Sequence, residues 1–143
     1  MKPNRFLQTF LITVALLFGL STTAQVSTFP HKSDFEGSLG DWVNTIGDNG
    51  DWSVDANGTP SSGTGPSSAQ NGSYYIFTET SASTTWGGEI WLSCKYDFSS
   101  LADPYINFWY HKYSSNGGTN GPGSLSLDVF NGSTWTYDVF RDD

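Results

Sequence analysis

Apolar and polar positions alternate in short runs along most of the chain, as they do in half-buried β-strands. The alternation is clearest over residues 89–98, 106–113 and 124–130. One predicted face of the first run carries Ile90, Leu92, Cys94, Tyr96 and Phe98. No segment repeats apolar residues at helical spacing over several turns. The pattern therefore predicts an all-β fold.

Residues 106–113 (INFWYHKY) place bulky side chains on both predicted faces of a strand. One face carries Ile106, Phe108 and Tyr110, and the other carries Trp109, His111 and Tyr113. We therefore predict a central strand that is covered on both sides. His111 on such a strand should hydrogen-bond a neighbouring group, because buried polar groups need partners.

A β-hairpin is predicted near the end of the chain, where Asn131-Gly132 separates two alternating runs. In residues 124–130 we expect Leu125, Leu127 and Val129 to face inward and Asp128 to face outward. About seven short strands in total favour an antiparallel β-sandwich of jelly-roll type. Residues 57–71 are rich in Gly, Ser, Thr and Pro, and their composition alone predicts a flexible linker.

Residues 1–24 have the organisation of a secretory signal peptide. Lys2 and Arg5 precede a mostly apolar stretch at 6–20, and small polar residues lead to a predicted cleavage site after Ala24. The apolar stretch is shorter than the ~20 residues of a membrane span, which disfavours a membrane anchor. We therefore expect export to the extracellular space or cell surface, with no transmembrane span in the mature segment, 25–143.

The charge of the mature segment limits the classes of partner that it can bind. Removal of Lys2 and Arg5 leaves four basic residues against 14 acidic ones, a net charge of −10. This excess disfavours nucleic acid, whose phosphates need a basic surface, and it is compatible with divalent cations. Cys94 is the single cysteine, so an internal disulfide is excluded and a small buried apolar role is expected for it.

Three motifs in order resemble the MAM domain, an extracellular module of meprins, neuropilin-type receptors and receptor tyrosine phosphatases. They are DFEGSLGDW at 34–42, DWSVDANGTPSSGTGPSSAQNGSYYIF at 51–77 and INFWYHKY at 106–113. The resemblance covers residues 34–140 and implies a jelly-roll β-sandwich. It also implies that residues 57–71 form an ordered crossing loop, in place of a flexible linker.

The chain departs from the family pattern at several positions. Ser33, Gly40 and Tyr105 stand where the family usually has cysteines, which is similar to a bacterial, secreted version of the module. Ala69-Gln70 replaces the family's Asp-His, whose aspartate is sometimes a metal ligand. Family members continue beyond the strand at Trp135, so we expect 25–143 to be a partial MAM-like domain whose closing strands lie further along a longer polypeptide. The alternative is that a strand from a partner completes the domain.

The resemblance implies a non-catalytic adhesion or interaction module within a larger secreted or cell-surface protein, with a protein partner or self-association. His31 and His111 lack metalloprotease spacing, and no nucleophile elbow or phosphate loop is present. We therefore expect no enzyme activity in this segment, although a region beyond it could be an enzyme such as a peptidase.

Two ligand hypotheses follow from the residues. Glu36 and Asp51 lie at predicted strand ends, where carboxylates and loop carbonyls bind calcium. Trp86, Trp91 and Tyr75 could stack sugars if they face solvent, which would make the chain a carbohydrate-binding module attached to a secreted hydrolase or peptidase. The alternative for each carboxylate is a solvated surface acid, and for each ring a place in the core.

Overall fold

The computed structural model describes residues 25–80, 87–113 and 123–143, and the predicted signal peptide lies outside these ranges. Their strands are β1 (Val43–Asn44), β2 (Ser53–Asp55), β3 (Tyr75–Phe77), β4 (Leu92–Ser93), β5 (Leu125–Phe130) and β6 (Trp135–Asp142). All named strands pair antiparallel, and the described residues contain no helix. The predicted all-β class is confirmed. None of the described residues belongs to a helix able to cross a membrane.

The six strands form three two-stranded sheets, which pair β1 with β4, β2 with β3 and β5 with β6. Val43 lies opposite Ser93 in the first sheet, and Val54 lies opposite Ile76 in the second. A parallel bridge between Val26 and Tyr96 joins the segment before β1 to the segment after β4. Within the described ranges these small sheets do not establish the two packed layers of the expected jelly roll.

The predicted hairpin is confirmed by β5 and β6, which pair across the Asn131-Gly132 turn with Phe130 opposite Trp135. The side-chain oxygen of Asn131 accepts hydrogen bonds from the amides of Ser133 and Thr134, at 3.0 and 2.9 Å. Such Asx geometry is the reason that asparagine favours turns. Local sequence therefore determines this sheet.

A bulge interrupts the hairpin between Leu127 and Val129. Asp138 has a positive φ of 52°, and its amide donates to Asp128 Oδ1 at 2.7 Å. Asp128 is consequently half-buried and Val129 is exposed, so both orientations expected from simple alternation are wrong. An extra length of chain in one strand shifts the side chains beyond it relative to the regular pattern.

The predicted central strand at 106–113 is wrong. These residues form no strand, and all of them except the half-buried Lys112 are exposed. Their backbone makes no hydrogen bond to the described strands, since alternation indicates an extended segment but does not supply a neighbour to pair with. His111 is exposed and, within the described part of the chain, lacks the expected hydrogen bond.

Burial alternates along residues 89–98 as predicted as far as Tyr96, although only Leu92–Ser93 pairs as a strand. Ile90, Leu92, Cys94 and Tyr96 are half-buried, whereas Phe98 is exposed. None of the described residues is fully buried. Contacts between partly exposed aromatic rings supply much of the packing. Tyr96 stacks on Phe98 at 5.4 Å between ring centroids, and Trp42 meets Tyr96 edge-on at 6.3 Å.

Candidate functional site

Residues 105–113, the aromatic segment, are held to β6 by one face only. The rings of Phe108 and Tyr110 meet that of Phe140 edge-on, at centroid distances of 5.1 and 5.5 Å. Lys112 Nζ donates to the carbonyl of Asp142 at 2.9 Å and lies 3.4 Å from its carboxylate. These contacts leave the rings of the other face free to meet a partner.

The outward rings of the aromatic segment are among the most exposed apolar side chains in the described ranges. Tyr105 is 85% exposed and Trp109 is 78% exposed. Scattered single apolar residues are normal on a protein surface, but a contiguous group marks an interaction site. Trp and Tyr are also the residues that most often dominate binding energy at interfaces.

A second exposed group, the aromatic platform, consists of Trp91, Phe130, Trp135 and Tyr137. The rings of Trp135 and Tyr137 lie nearly parallel, at 17° and a centroid distance of 6.1 Å. Phe130 lies 5.1 Å from Trp135 across the hairpin, and Trp91 meets Trp135 edge-on at 6.4 Å. The platform therefore joins the β5–β6 hairpin to the residue immediately before β4.

Trp91 is fixed in place by two carboxylates. Its indole N–H donates to Glu89 Oε2 at 3.1 Å, and its backbone N–H donates to Asp48 Oδ2 at 2.7 Å. Hydrogen bonds that accept at a carboxylate are stronger than those between neutral groups. The ring that supports Trp135 is thus itself restrained.

Of the three predicted sugar-stacking residues, Trp91 belongs to the platform and Trp86 lies outside the described residues. Tyr75 is half-buried, and its hydroxyl donates to the carbonyl of Gly58 and accepts from the amide of Gly58 at 2.9 Å. Its place is therefore structural, at the base of the crossing loop. Sequence analysis missed Trp135 and Tyr137 as ligand candidates, although their i, i+2 spacing on a predicted strand was a usable signal.

The crossing loop between β2 and β3 is held by its own polar side chains as well as by Tyr75. Thr59 and Thr64 share a hydrogen bond at 2.9 Å between their hydroxyl oxygens, and Thr64 donates to the carbonyl of Ser61 at 2.7 Å. These hydrogen bonds agree with an ordered loop. Because β2 and β3 pair directly in one sheet, however, the loop links neighbouring strands and does not cross between sheets as the resemblance implies.

The two predicted calcium ligands are not brought into contact. Glu36 Oε1 accepts the amide hydrogens of Ser73 and Tyr74, at 2.7 and 3.1 Å, while Asp51 is exposed just before β2. The described ranges hold no group of three or more His, Cys, Asp or Glu side chains placed to bind a metal ion. Glu36 thus acts first as an acceptor for backbone amides.

His31, Ser33 and Asp41 cluster in the segment before β1, and the same three residue types form the catalytic sites of many hydrolases. Ser33 Oγ and Asp41 Oδ2 both contact the same imidazole nitrogen of His31, Nε2, at 3.3 and 3.5 Å. A nucleophile–base–acid relay needs the two partners on opposite nitrogens. Ser33 Oγ also accepts from the Trp42 indole at 2.9 Å, so the cluster is a packing network.

Cys94 and Tyr96 are neighbours on the half-buried face of residues 89–98. Burial raises the pKa of the Cys94 thiol, and burial together with the hydrogen bond to Cys94 raises the pKa of Tyr96 to about 12. A thiol with a raised pKa is a poor nucleophile at neutral pH, since the thiolate is the reactive form. The geometry therefore assigns Cys94 a structural place.

No protein-family model matches this chain, and no solved structure matches it. The resemblance to the MAM domain therefore rests on the sequence motifs at 34–42, 51–77 and 106–113, and it stays a prediction.

Proposed function

We propose that residues 25–143 form a non-catalytic, exported interaction module of MAM type that binds protein surfaces, a second copy of itself among them, through the aromatic segment. The observation that carries this proposal is the exposure of Tyr105 and Trp109 on a segment whose opposite face is packed against Phe140. An anchored segment with outward rings presents them with little loss of freedom on binding.

A protein is the partner best matched to the aromatic segment, because the segment makes no backbone hydrogen bond to the described strands. Another polypeptide strand can add to such a segment through main-chain hydrogen bonds, while its alternate side chains contact the exposed rings. The acidic balance of the chain, with 14 Asp and Glu against 6 Lys and Arg, disfavours nucleic acid and anionic membranes.

Sedimentation velocity of the exported protein over a wide concentration range tests the proposal. We expect a reversible shift to larger species, with the dissociation constant raised about thirtyfold in Trp109→Ser, as for an interfacial hot spot. Ile46→Ser is the matched control, because Ile46 is 100% exposed and lies in a turn away from the segment. A protein that stays monomeric throughout, or equal effects of both variants, would count against self-association through this surface.

A further inference from the structure

We infer that the aromatic platform is a separate binding site for the pyranose rings of a neutral polysaccharide. The inference does not rest on the proposed protein-binding function, since the two surfaces share no residue. It begins with Trp135 and Tyr137, which lie two positions apart on β6 with nearly parallel rings.

A sugar ring presents C–H groups on its faces and hydroxyl groups around its rim. The C–H groups are attracted to the electron-rich faces of indole and phenol rings, and the apolar face of the sugar is removed from water on contact. Trp135 is 47% exposed and Tyr137 is 65% exposed, so a flat ligand can reach both. Two neighbouring exposed rings on one strand suit successive sugar units of one chain better than a compact ligand that needs an enclosing cage.

The platform is organised before any ligand arrives. Phe130 packs on Trp135 from the neighbouring strand, and Trp91 packs on it edge-on at 63°. Trp91 is in turn held by Glu89 and Asp48. Rigid rings that are already in position lose little conformational entropy on binding, and this supports useful affinity from a small contact area.

The border of the platform selects the charge of the ligand. Glu89 lies at the edge of the platform, where its carboxylate accepts a hydrogen bond from the indole N–H of Trp91. Carboxylates accept hydrogen bonds from sugar hydroxyls, whereas they repel the carboxylates, sulfates or phosphates of anionic polymers. The ligand class is therefore a neutral hexose polymer, not an anionic polysaccharide.

Isothermal titration of the exported protein with cellohexaose, laminarihexaose and chitohexaose tests the inference. We expect at least one neutral oligosaccharide to bind, with affinity reduced tenfold or more in Tyr137→Ser and in Trp135→Ala. Tyr137→Phe keeps the ring and should retain binding. Since Trp135 also supports the hairpin, Tyr137→Ser, at a more exposed position, is the variant that decides if Trp135→Ala fails to fold.

The matched control is Trp109→Ser, which removes an exposed tryptophan from the other surface. It should leave sugar binding unchanged while weakening self-association, so the two proposals fail separately. Absence of binding to all three oligosaccharides would overturn the inference. Equal losses of sugar affinity in Tyr137→Ser and Trp109→Ser would also overturn it. The same holds if an anionic polymer such as polygalacturonate binds more tightly, or if platform mutations weaken only protein association.

Discussion

Glu36 accepts the amide hydrogen of Ser73 at 2.7 Å, although the two residues lie 37 positions apart in the chain. The same carboxylate oxygen accepts the amide of Tyr74, and the turn that presents both amides contains Gly72 at a positive φ of 76°. One side chain thereby joins the motif at 34–42 to the entry into β3. Successive amides that point at an anion in this way form a concave nest.

Gly72→Ala is expected to destabilise the protein more than Gly47→Ala. Both glycines have positive φ, so both alanines carry the same kind of backbone strain, about 1 kcal/mol. A Cβ at Gly72 would also collide with the Glu36 carboxylate, whereas a Cβ at Gly47 meets nothing within 4 Å. Urea unfolding of the two variants measures the difference directly.

The excess cost of Gly72→Ala should disappear when Glu36 is replaced by alanine, because the collision and the two hydrogen bonds are then absent. A double-mutant cycle isolates this coupling between neighbouring residues. If Gly72→Ala remains costlier than Gly47→Ala in the Glu36→Ala background, the contact does not explain the difference.

Tyr75→Phe should lower the free energy of unfolding by about 1–2 kcal/mol, because it removes a hydroxyl that serves both the N–H and the carbonyl of Gly58. Tyr74→Phe is the matched control, since Tyr74 is exposed and its hydroxyl has no hydrogen-bond partner in the described ranges. Faster protease cleavage within residues 57–71 should accompany the loss in Tyr75→Phe. Equal stability of the two variants would contradict the structural place of Tyr75.

Stability should fall as the pH rises from about 10 to about 12. Burial raises the pKa of Tyr96 from its ordinary value of 10.0 to about 12, so the folded state favours the neutral phenol. The resulting stabilisation is fully present below pH 10 and is lost as the pH approaches the folded value. Urea unfolding at several pH values should show a shallower decline for Tyr96→Phe, and a titration in which every tyrosine ionises near 10 would contradict the prediction.

Calcium binding at Glu36 and Asp51 stays a prediction, and thermal melting provides its test. A bound ion raises the melting temperature by an amount that grows with its concentration, because it binds the folded state alone. Chelation should then lower the midpoint, and Asp51→Asn should remove the calcium dependence. An unchanged midpoint with and without chelator would leave both residues as surface acids.

Local signals predicted the parts of the fold that depend on neighbours in sequence. Asn131-Gly132 located the β5–β6 hairpin, and alternation correctly identified the half-buried face that includes Leu92 and Tyr96. The bulge at Asp138 escaped prediction, because a positive φ in a residue other than glycine is set by contacts across the hairpin. Residues 106–113 were mistaken for a central strand, since alternation does not indicate which segment lies alongside.

The candidate surfaces were predictable in part. Trp91 was identified from composition, but the assembly of Trp91 with Trp135 depends on a contact between residues 44 positions apart, which a single sequence does not show. Trp135 and Tyr137 are two positions apart in a predicted strand and so share one face, yet which face of a hairpin meets solvent is settled by tertiary packing.

The bulge at Asp128 and Asp138 also affects the tendency of the hairpin to aggregate. A flat, aromatic-rich ribbon with free edges is a ready template on which identical chains stack into fibrils. Here the kinked β6 departs from the regular spacing such stacking requires, and Arg141 adds a cation beside the distortion, 3.4 Å from the Asp138 carboxylate. The irregularity thus disfavours amyloid-like stacking of the β5–β6 hairpin.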